Sequence, residues 1–360
     1  MKLKHLGRTA KNDLFTYGLV VVAYAVLQLL STGGVLTNSL KGQLVPICAY
    51  IIMAISLNLT VGILGELSLG HAGFMSVGAF VGTYFTLVSG DSLPKGLTFV
   101  LALLLGTLAA GIAGFLIGIP VLRLQGDYLA IVTLAFGEII KNLLNSFYIG
   151  RDSAGYHVSF KDSLSMGLQP DGQVLINGAQ GVTGIPKLSS FTAGFILILI
   201  TLFIVLNLIH SRTGRAIMSI RDNRIAAESV GIHITRYKMI AFTISAALAG
   251  LAGVLYAHNF STLVAKKFDY NTSILILVFV VVGGIGNIRG SIIAAALLTV
   301  LPELLRGFSD YRMLVYAIVL IVMMIVNQSP QMIAWRERLV AKLPKFGAKR
   351  PAGEPKGGAE

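Results

Sequence analysis

The sequence predicts an all-α, polytopic integral membrane protein, a helical bundle of about 8–10 transmembrane segments with broken or re-entrant glycine-rich helices. Three observations predict it. Hydrophobic residues make up 55% of the 360 residues and charged residues only 12%, whereas a soluble domain is roughly one-quarter charged. Apolar runs approaching the roughly 20 residues that a crossing helix needs recur over nearly the whole chain. The basic residues behind the net charge of +13 gather in three places: the N-terminus, the loop 211–238, and the stretch after Pro330. That is how a membrane protein marks its cytoplasmic segments.

In chain order, the apolar runs occupy residues 14–30, 44–63, 69–88, 97–119, 128–148, 191–209, 239–257, 274–288, 291–305 and 313–326. If each crosses, there are ten crossings; if 274–305 forms one re-entrant hairpin, there are eight. The first run follows Lys2, Lys4, Arg8 and Lys11 without a convincing small-x-small cleavage site, so it reads as an uncleaved helix. Charge orients the bundle. The loop 211–238 holds Arg212, Arg215, Arg221, Arg224, Arg236 and Lys238 against Asp222 and Glu228. The loop 145–190 balances Arg151, Lys161 and Lys187 against Asp152, Asp162 and Asp171. The first belongs in the cytoplasm and the second outside, which places both termini in the cytoplasm under either count. The expected organisation is a cytoplasmic start (1–13), a transmembrane domain (14–328) and a basic, disordered cytoplasmic tail (329–360). Cys48, the single cysteine, lies in an apolar run and reads as a small core residue.

Three stretches carry polar chemistry. GILGELSLGHAGFMSVGAFVG (62–82) has Gly62, Gly65, Gly70, Gly73, Gly78 and Gly82, which permit close helix approach or a broken helix. Glu66 and His71 lie in or near its apolar zone, where ionisable groups are expensive and mark either a pathway or a packed helix start. Glu138 is deeper: eleven residues after a helix start near Asp127, at about 1.5 Å each, place it about 16 Å into the bilayer. Lys141, three residues on, shares its face and offers an ion pair, so Glu138 serves either helix packing or substrate contact. VVVGGIGNIRG (280–290) gathers Gly283, Gly284, Gly286 and Gly290, backbone that must bend or be closely approached, with Arg289 as a membrane-edge residue. The two glycine-rich regions sit in loosely corresponding places in the two halves, as paired interruptions in inverted repeats do.

Several function classes are excluded. No GxxxxGK[ST] occurs, so the chain has no phosphate-cradling loop of its own. HExxH, CxxC and GxSxG are missing, and the six histidines are scattered without ligand spacing, so no metal, cofactor or catalytic residue is expected. Nucleic-acid binding would need a recognised module or interleaved aromatic and basic residues, and neither occurs.

The loop SRTGRAIMSIRDNRIAAESVGIHITRYK (211–238) reads as a short helix from Thr213 stopped by Gly231, with Thr235 capping the helix that follows. Ile217, Ile220, Ala227 and Val230 would share one side, interrupted by Arg224. Such a charged but partly apolar element either fills a groove on another subunit or is a solvated positive-inside loop.

GRAIMSIRDNRIAAESVGIHITRYK resembles the coupling-helix, or EAA-type, loop of ABC importer permeases, specifically the branched-chain amino-acid permease family of the LivM type. LSLGHAGFMSVGAFVG from Leu67, GDYLAIVTLAFGEIIKN from Gly126, GGIGNIRGSIIAAALL from Gly283 and the outer-loop motif GVTGIP from Gly181 agree with that family. Asn223 and Arg224 depart from it, standing where acidic residues often precede IAAE, and NGAQ (177–180) shortens a glycine-rich run. The resemblance implies a permease of the bacterial cytoplasmic membrane, without enzymatic activity. Its implied partners are a second homologous permease, two ATPase subunits on the cytoplasmic face and an extracytoplasmic binding protein delivering leucine, isoleucine or valine. It implies coupling residues Arg215, Arg221, Asp222, Ala226, Ala227, Glu228 and Gly231. The pathway candidates are Glu66, Gly70, His71, Gly73, Glu138, Gly283 and Gly284. The alternatives are a urea or short-amide permease of the same family and, from another class, an ion-coupled secondary transporter using Glu138.

Overall fold

A computed structural model describes residues 8–34, 37–90, 92–124, 126–153, 155–170, 172–305 and 311–328. The expected tail (329–360) and the first seven residues lie outside the described residues. The chain divides into two compact units, Met1–Arg312 and Met313–Glu360.

The first unit is a bundle of α1 (Arg8–Thr32), α2 (Asn38–Asn58), α3 (His71–Ser89), α4 (Lys95–Val121), α5 (Asp127–Asn145), α6 (Phe191–His210), α7 (Arg212–Asp222), α8 (Arg224–Ser229), α9 (Ile234–Ala257), α10 (Tyr270–Gly283) and α11 (Ile288–Leu304). The described part of the second unit lies in α12 (Arg312–Gln328), an apolar helix exposing Leu314, Ile318, Ile321 and Ile325. Each of the ten apolar runs is a helix. Six are long and apolar enough to cross a membrane: α1, α2 with the turn that extends it to Leu64, α3, α4, α6 and α9. α5 carries Asp127, Glu138 and Lys141. α10 has 14 residues, about 21 Å of helix against a hydrocarbon core of about 30 Å.

Side-chain caps fix many of the starts. Thr37, Ser190, Ser211, Asn223, Asp269 and Asn287 each accept a hydrogen bond from a backbone N–H of the first helical turn. Pro46 in α2 and Pro120 in α4 interrupt no helix, a tolerance common in membrane helices.

α9 runs through the middle, packed on α3 and α4. α4 offers Gly106, Ala110, Gly114 and Gly118, four residues apart, and α9 answers with Phe242, Ala246, Gly250 and Val254. A Cβ on Gly114 would fall on Ala246, one on Gly118 2.7 Å from the sulfur of Met239, and one on Gly106 on Val254. Gly78 of α3 closes on the backbone of Gly250. Between lipid-solvated helices burial gives little drive, so small residues that let backbones approach supply the attraction. α2 is buried over nearly its whole length and α1 scarcely at all, with α1 holding to α6 through the stacked rings of Tyr24 and Phe195, 4.1 Å apart.

At the end of the bundle opposite α7, the loop after α5 folds into a three-stranded antiparallel sheet, ordered β2 (Gly155–Ser159), β1 (Tyr148–Asp152), β3 (Gln173–Asn177). Tyr148 pairs with Ser159 on one side and Asn177 on the other. β4 (Val182–Thr183) pairs with β5 (Thr262–Leu263), which ties the GVTGIP motif to the segment after α9. Gly181, at φ +74°, lies against the Leu263 carbonyl where a side chain would not fit.

Candidate functional site

The buried polar groups at the α7 end meet around one irregular turn. After Asn58, α2 widens into a π-helical turn, Leu59–Leu64, ended by Gly65 at φ +80°. The turn is wholly buried, and its Leu59, Ile63 and Leu64 pack with Ile217 of α7 and Ala241 of α9. Arg221 of α7 donates from Nη1 to the Gly62 carbonyl at 2.9 Å and holds Asp222 through Nε and Nη2 at 3.1 and 3.0 Å. Asn58, fully buried, accepts from the Gly286 N–H at 2.8 Å and donates to Ser291 Oγ at 2.9 Å. The two glycine-rich regions therefore touch: a Cβ on Gly62 would fall on the backbone of Gly286. Beside the turn, Glu66 pairs with Lys238 of α9, whose side chain is 4% exposed against 14% for Glu66.

The loop 211–238 differs from the single helix expected of it. It forms two helices, α7 and α8, broken at Asn223, whose extended backbone (φ −155°) ends α7 and whose side chain caps α8 by accepting from Ala226 N–H at 3.0 Å. The break resets the helical phase. Ile217, Ile220 and Ala227 are buried, but Val230 is 75% exposed and Ile225 82%. Gly231 does end the second helix, at φ +85°, with its N–H on the Glu228 carbonyl. α9 begins at Ile234, so Thr235 lies inside it rather than capping it. Arg215 reaches back to the His210 carbonyl at 3.0 Å, and Ala226 and Glu228 stand exposed beside a cleft of about 400 Å³ lined by Arg224, Glu228 and residues 231–235.

Among the pathway candidates, Gly70 and Gly73 are packing positions. They let α3 cross α5 at Thr133 and Gly137, with a Cβ on Gly73 only 2.9 Å from the Gly137 Cα. His71 lies wholly inside the bundle, its Nε2 2.9 Å from Ser56 Oγ and its Nδ1 without a partner. Glu138, 28% exposed, pairs with Lys141 and accepts from the backbone N–H of Tyr270 at 3.2 Å, so it helps to close the start of α10. Asp269 completes that start by accepting from Thr272 N–H at 3.0 Å. Gly283 abuts Gly290 and Ser291, and Gly284 turns the chain at φ +93°. The structure thus spreads the candidates over several contacts: Gly70 and Gly73 at the α3–α5 crossing, Glu66 against α9, His71 against α2, Glu138 at the start of α10, and Gly283 and Gly284 at the turn into α11. Among the described residues, no three His, Cys, Asp or Glu side chains come together to hold a metal ion.

Asn58, Asp269 and the pairing of Lys238 are the participants that sequence reasoning missed. The charge pattern places Lys238 among the basic residues of the 211–238 loop, whereas it lies buried in α9. An isolated asparagine inside an apolar run was the one available signal for Asn58.

The family model described as branched-chain amino acid transport system / permease component matches residues 39–326. The chain is 36% identical to the high-affinity branched-chain amino acid transport system permease protein LivM of Salmonella typhimurium, covering 98% of this chain and 80% of that protein. It is 37% identical to the LivM of Escherichia coli over 89% of this chain and 74% of that protein. The fructose import permease protein FruG of Bifidobacterium longum is 26% identical over 74% of this chain and 83% of its own length. No solved structure matches the chain. The match spans the bundle from α2 into α12, together with both glycine-rich turns and the α7–α8 loop, and the chain belongs to the branched-chain amino acid transport permease family.

Proposed function

We propose that the chain is the membrane-spanning permease subunit of an ATP-binding-cassette importer that carries leucine, isoleucine and valine. The observation that carries this reading is the 36–37% identity, over 89–98% of the chain, to two permeases named for branched-chain amino acid transport. The relative named for fructose falls to 26%. A second permease of the same family completes the pore, two ATPase subunits bind the α7–α8 end, and an extracytoplasmic binding protein delivers substrate at the sheet end. The positive-inside rule supports this orientation, with both termini and the 211–238 loop in the cytoplasm.

In this reading α7 and α8 are the coupling element. Ile225 and Val230 are large apolar side chains left in the open on an otherwise charged loop, which suits insertion into a groove on an ATPase. ATP-driven closure of the ATPase pair moves α7 and, through it, the π-turn of α2, so that the bundle alternates its access. Glu138 and the start of α10 stand at the wall of the translocation path, where an intramembrane carboxylate is tolerated because it faces protein or water.

The test is uptake of radiolabelled leucine by proteoliposomes holding the complex and the binding protein, with and without ATP. ATP-dependent accumulation is expected. Uptake that persists without ATP under a pH gradient would establish secondary transport instead. A ligand screen of the binding protein in which urea or short amides bind and branched-chain amino acids do not would replace the substrate.

A further inference from the structure

We propose that Asn58 is a positioning residue for the transport step, joining the coupling helix α7 to the glycine turn between α10 and α11 through the π-turn Leu59–Leu64. The proposal rests on the importer reading above and goes beyond it by naming the path from the loop into the membrane domain.

The geometry is continuous. Arg221 grips the Gly62 carbonyl from the α7 side at 2.9 Å. The stem of the same arginine lies against Gly65, where an added Cβ would sit 2.5 Å from Arg221 Cγ. One helical turn earlier, Asn58 closes on the far side. Its Oδ1 takes the Gly286 N–H at 2.8 Å and its Nδ2 reaches Ser291 Oγ at 2.9 Å. Gly62 itself is squeezed between the Asn58 carboxamide and the Gly286 backbone, leaving no slack between the two grips.

Each piece is costly unless it has a purpose. π-turns are rare and recur at functional sites because they reposition backbone groups that an α-helix would consume. A fully buried carboxamide is tolerated when both its ends are bonded, and here both are spent on segments more than 200 residues away in sequence. The segment it grips is a glycine turn, with Gly284 and Gly286 at φ +93° and +81° between Gly283 and Gly290. Displacement of α7 is therefore delivered to the α10–α11 turn rather than absorbed in side-chain packing. Loss of Asn58 should leave the ATPases able to dock and hydrolyse but uncouple part of their stroke.

The experiment uses the whole transporter, permeases with ATPases and binding protein, in proteoliposomes, reading leucine uptake, ATP hydrolysis and co-purified ATPase together. In Asn58→Ala, hydrolysis and co-purification should persist while uptake per ATP falls by roughly 2- to 30-fold, the range for substitutions that modulate coupling. Asn58→Asp, which as the acid accepts from Gly286 and donates to Ser291, should recover most of the ratio. An unchanged ratio in Asn58→Ala, including uptake and hydrolysis that fall in parallel in a complex that still assembles, would assign Asn58 to packing alone and overturn the proposal. If Asn58→Ala does not assemble, Ser291→Ala decides, since it removes one hydroxyl from the same clamp: a lowered ratio supports the joint and an unchanged one refutes it. Uptake without ATP in the unsubstituted complex would instead bring down the importer reading itself.

Discussion

The pair Glu66–Lys238 offers a quantitative test of how this end of the bundle is held. Lys238 is 4% exposed and its ammonium is bound to one carboxylate; Glu66 is 14% exposed and reaches water on one side. Removing one partner of a fully buried pair costs about 3–5 kcal/mol, because the other charge stays buried and uncompensated. Water at the Glu66 side screens part of this, so about 2–3 kcal/mol is expected for Glu66→Ala, which strands the more buried group. Lys238→Met should cost less, since the carboxylate it leaves can hydrate. Replacing both, as Glu66→Leu with Lys238→Met, removes the desolvation penalty along with the attraction and should cost about 1 kcal/mol or less. The order of thermal midpoints, read by fluorescence-detected size exclusion of detergent-solubilised protein, should be unsubstituted, double, Lys238→Met, Glu66→Ala. A double variant as unstable as the two single losses added together would show that the two side chains act independently, and the ion pair would then not be what holds α9 to the 65–70 segment.

Three further outcomes follow from the geometry. Gly250→Leu should lower the melting midpoint more than Gly250→Ala, whose Cβ alone meets Ala110 Cβ and sits 2.9 Å from the Gly106 carbonyl, an overpacking of about 1–3 kcal/mol; an unshifted Gly250→Leu would refute the close α4–α9 crossing. Ile225→Asp, on a side chain 82% exposed and touching none of the core, should leave stability alone and weaken ATPase co-purification by roughly tenfold or more, the effect of losing one interface anchor. Glu138→Leu strips both the Lys141 pair and the acceptor of the Tyr270 N–H, leaving a donor whose loss of a partner is worth about 1–3 kcal/mol. It should reduce leucine uptake or stability, and a stable, fully active variant would retire Glu138 from both roles.

The helices were legible because a bilayer demands long apolar runs and the chain supplies them. The bounds slip mainly where polar residues extend a helix, as at residues 38–43 of α2, which precede the run that begins at 44. The short strands were not legible, since five-residue strands inside a polar loop carry too few side chains for alternation to stand out. The α7–α8 loop shows why a helical stripe can mislead. Ile217, Ile220, Ala227 and Val230 line up only while the helix is unbroken, and the extended backbone at Asn223 turns Val230 outward. Asn223 was noticed for departing from an acidic pattern, whereas its physical role is to cap α8. Lys238 and Glu66, 172 positions apart, meet only through the fold, and the charge pattern places the lysine among the basic residues of the 211–238 loop.

The distribution of polar groups also separates the helices by what must cover them. α4 turns Leu104, Leu108, Ile112 and Leu116 outward, a face that lipid solvates at no cost. α2 with its π-turn and α3 hide polar side chains in bonds within the bundle, such as Ser56 Oγ of α2 to His71 Nε2 of α3 at 2.9 Å and Thr60 to Ser245 of α9 at 2.8 Å. α5 does neither. Only Leu129, Ala130 and Thr133 are buried, while Asn142 stands exposed and Glu138 and Lys141 are half-buried. A helix cannot present that face to hydrocarbon, where each unsatisfied polar group costs several kcal/mol. Its remaining polar surface needs protein or water, which the importer reading proposed above would supply. The same argument accounts for why α10 can be short: its start is closed by Glu138 and Asp269 within the protein rather than by solvent at the membrane face. A 14-residue helix whose first N–H groups are taken by its own cap, Asp269, and by Glu138 of α5 leaves no backbone donor stranded at its start.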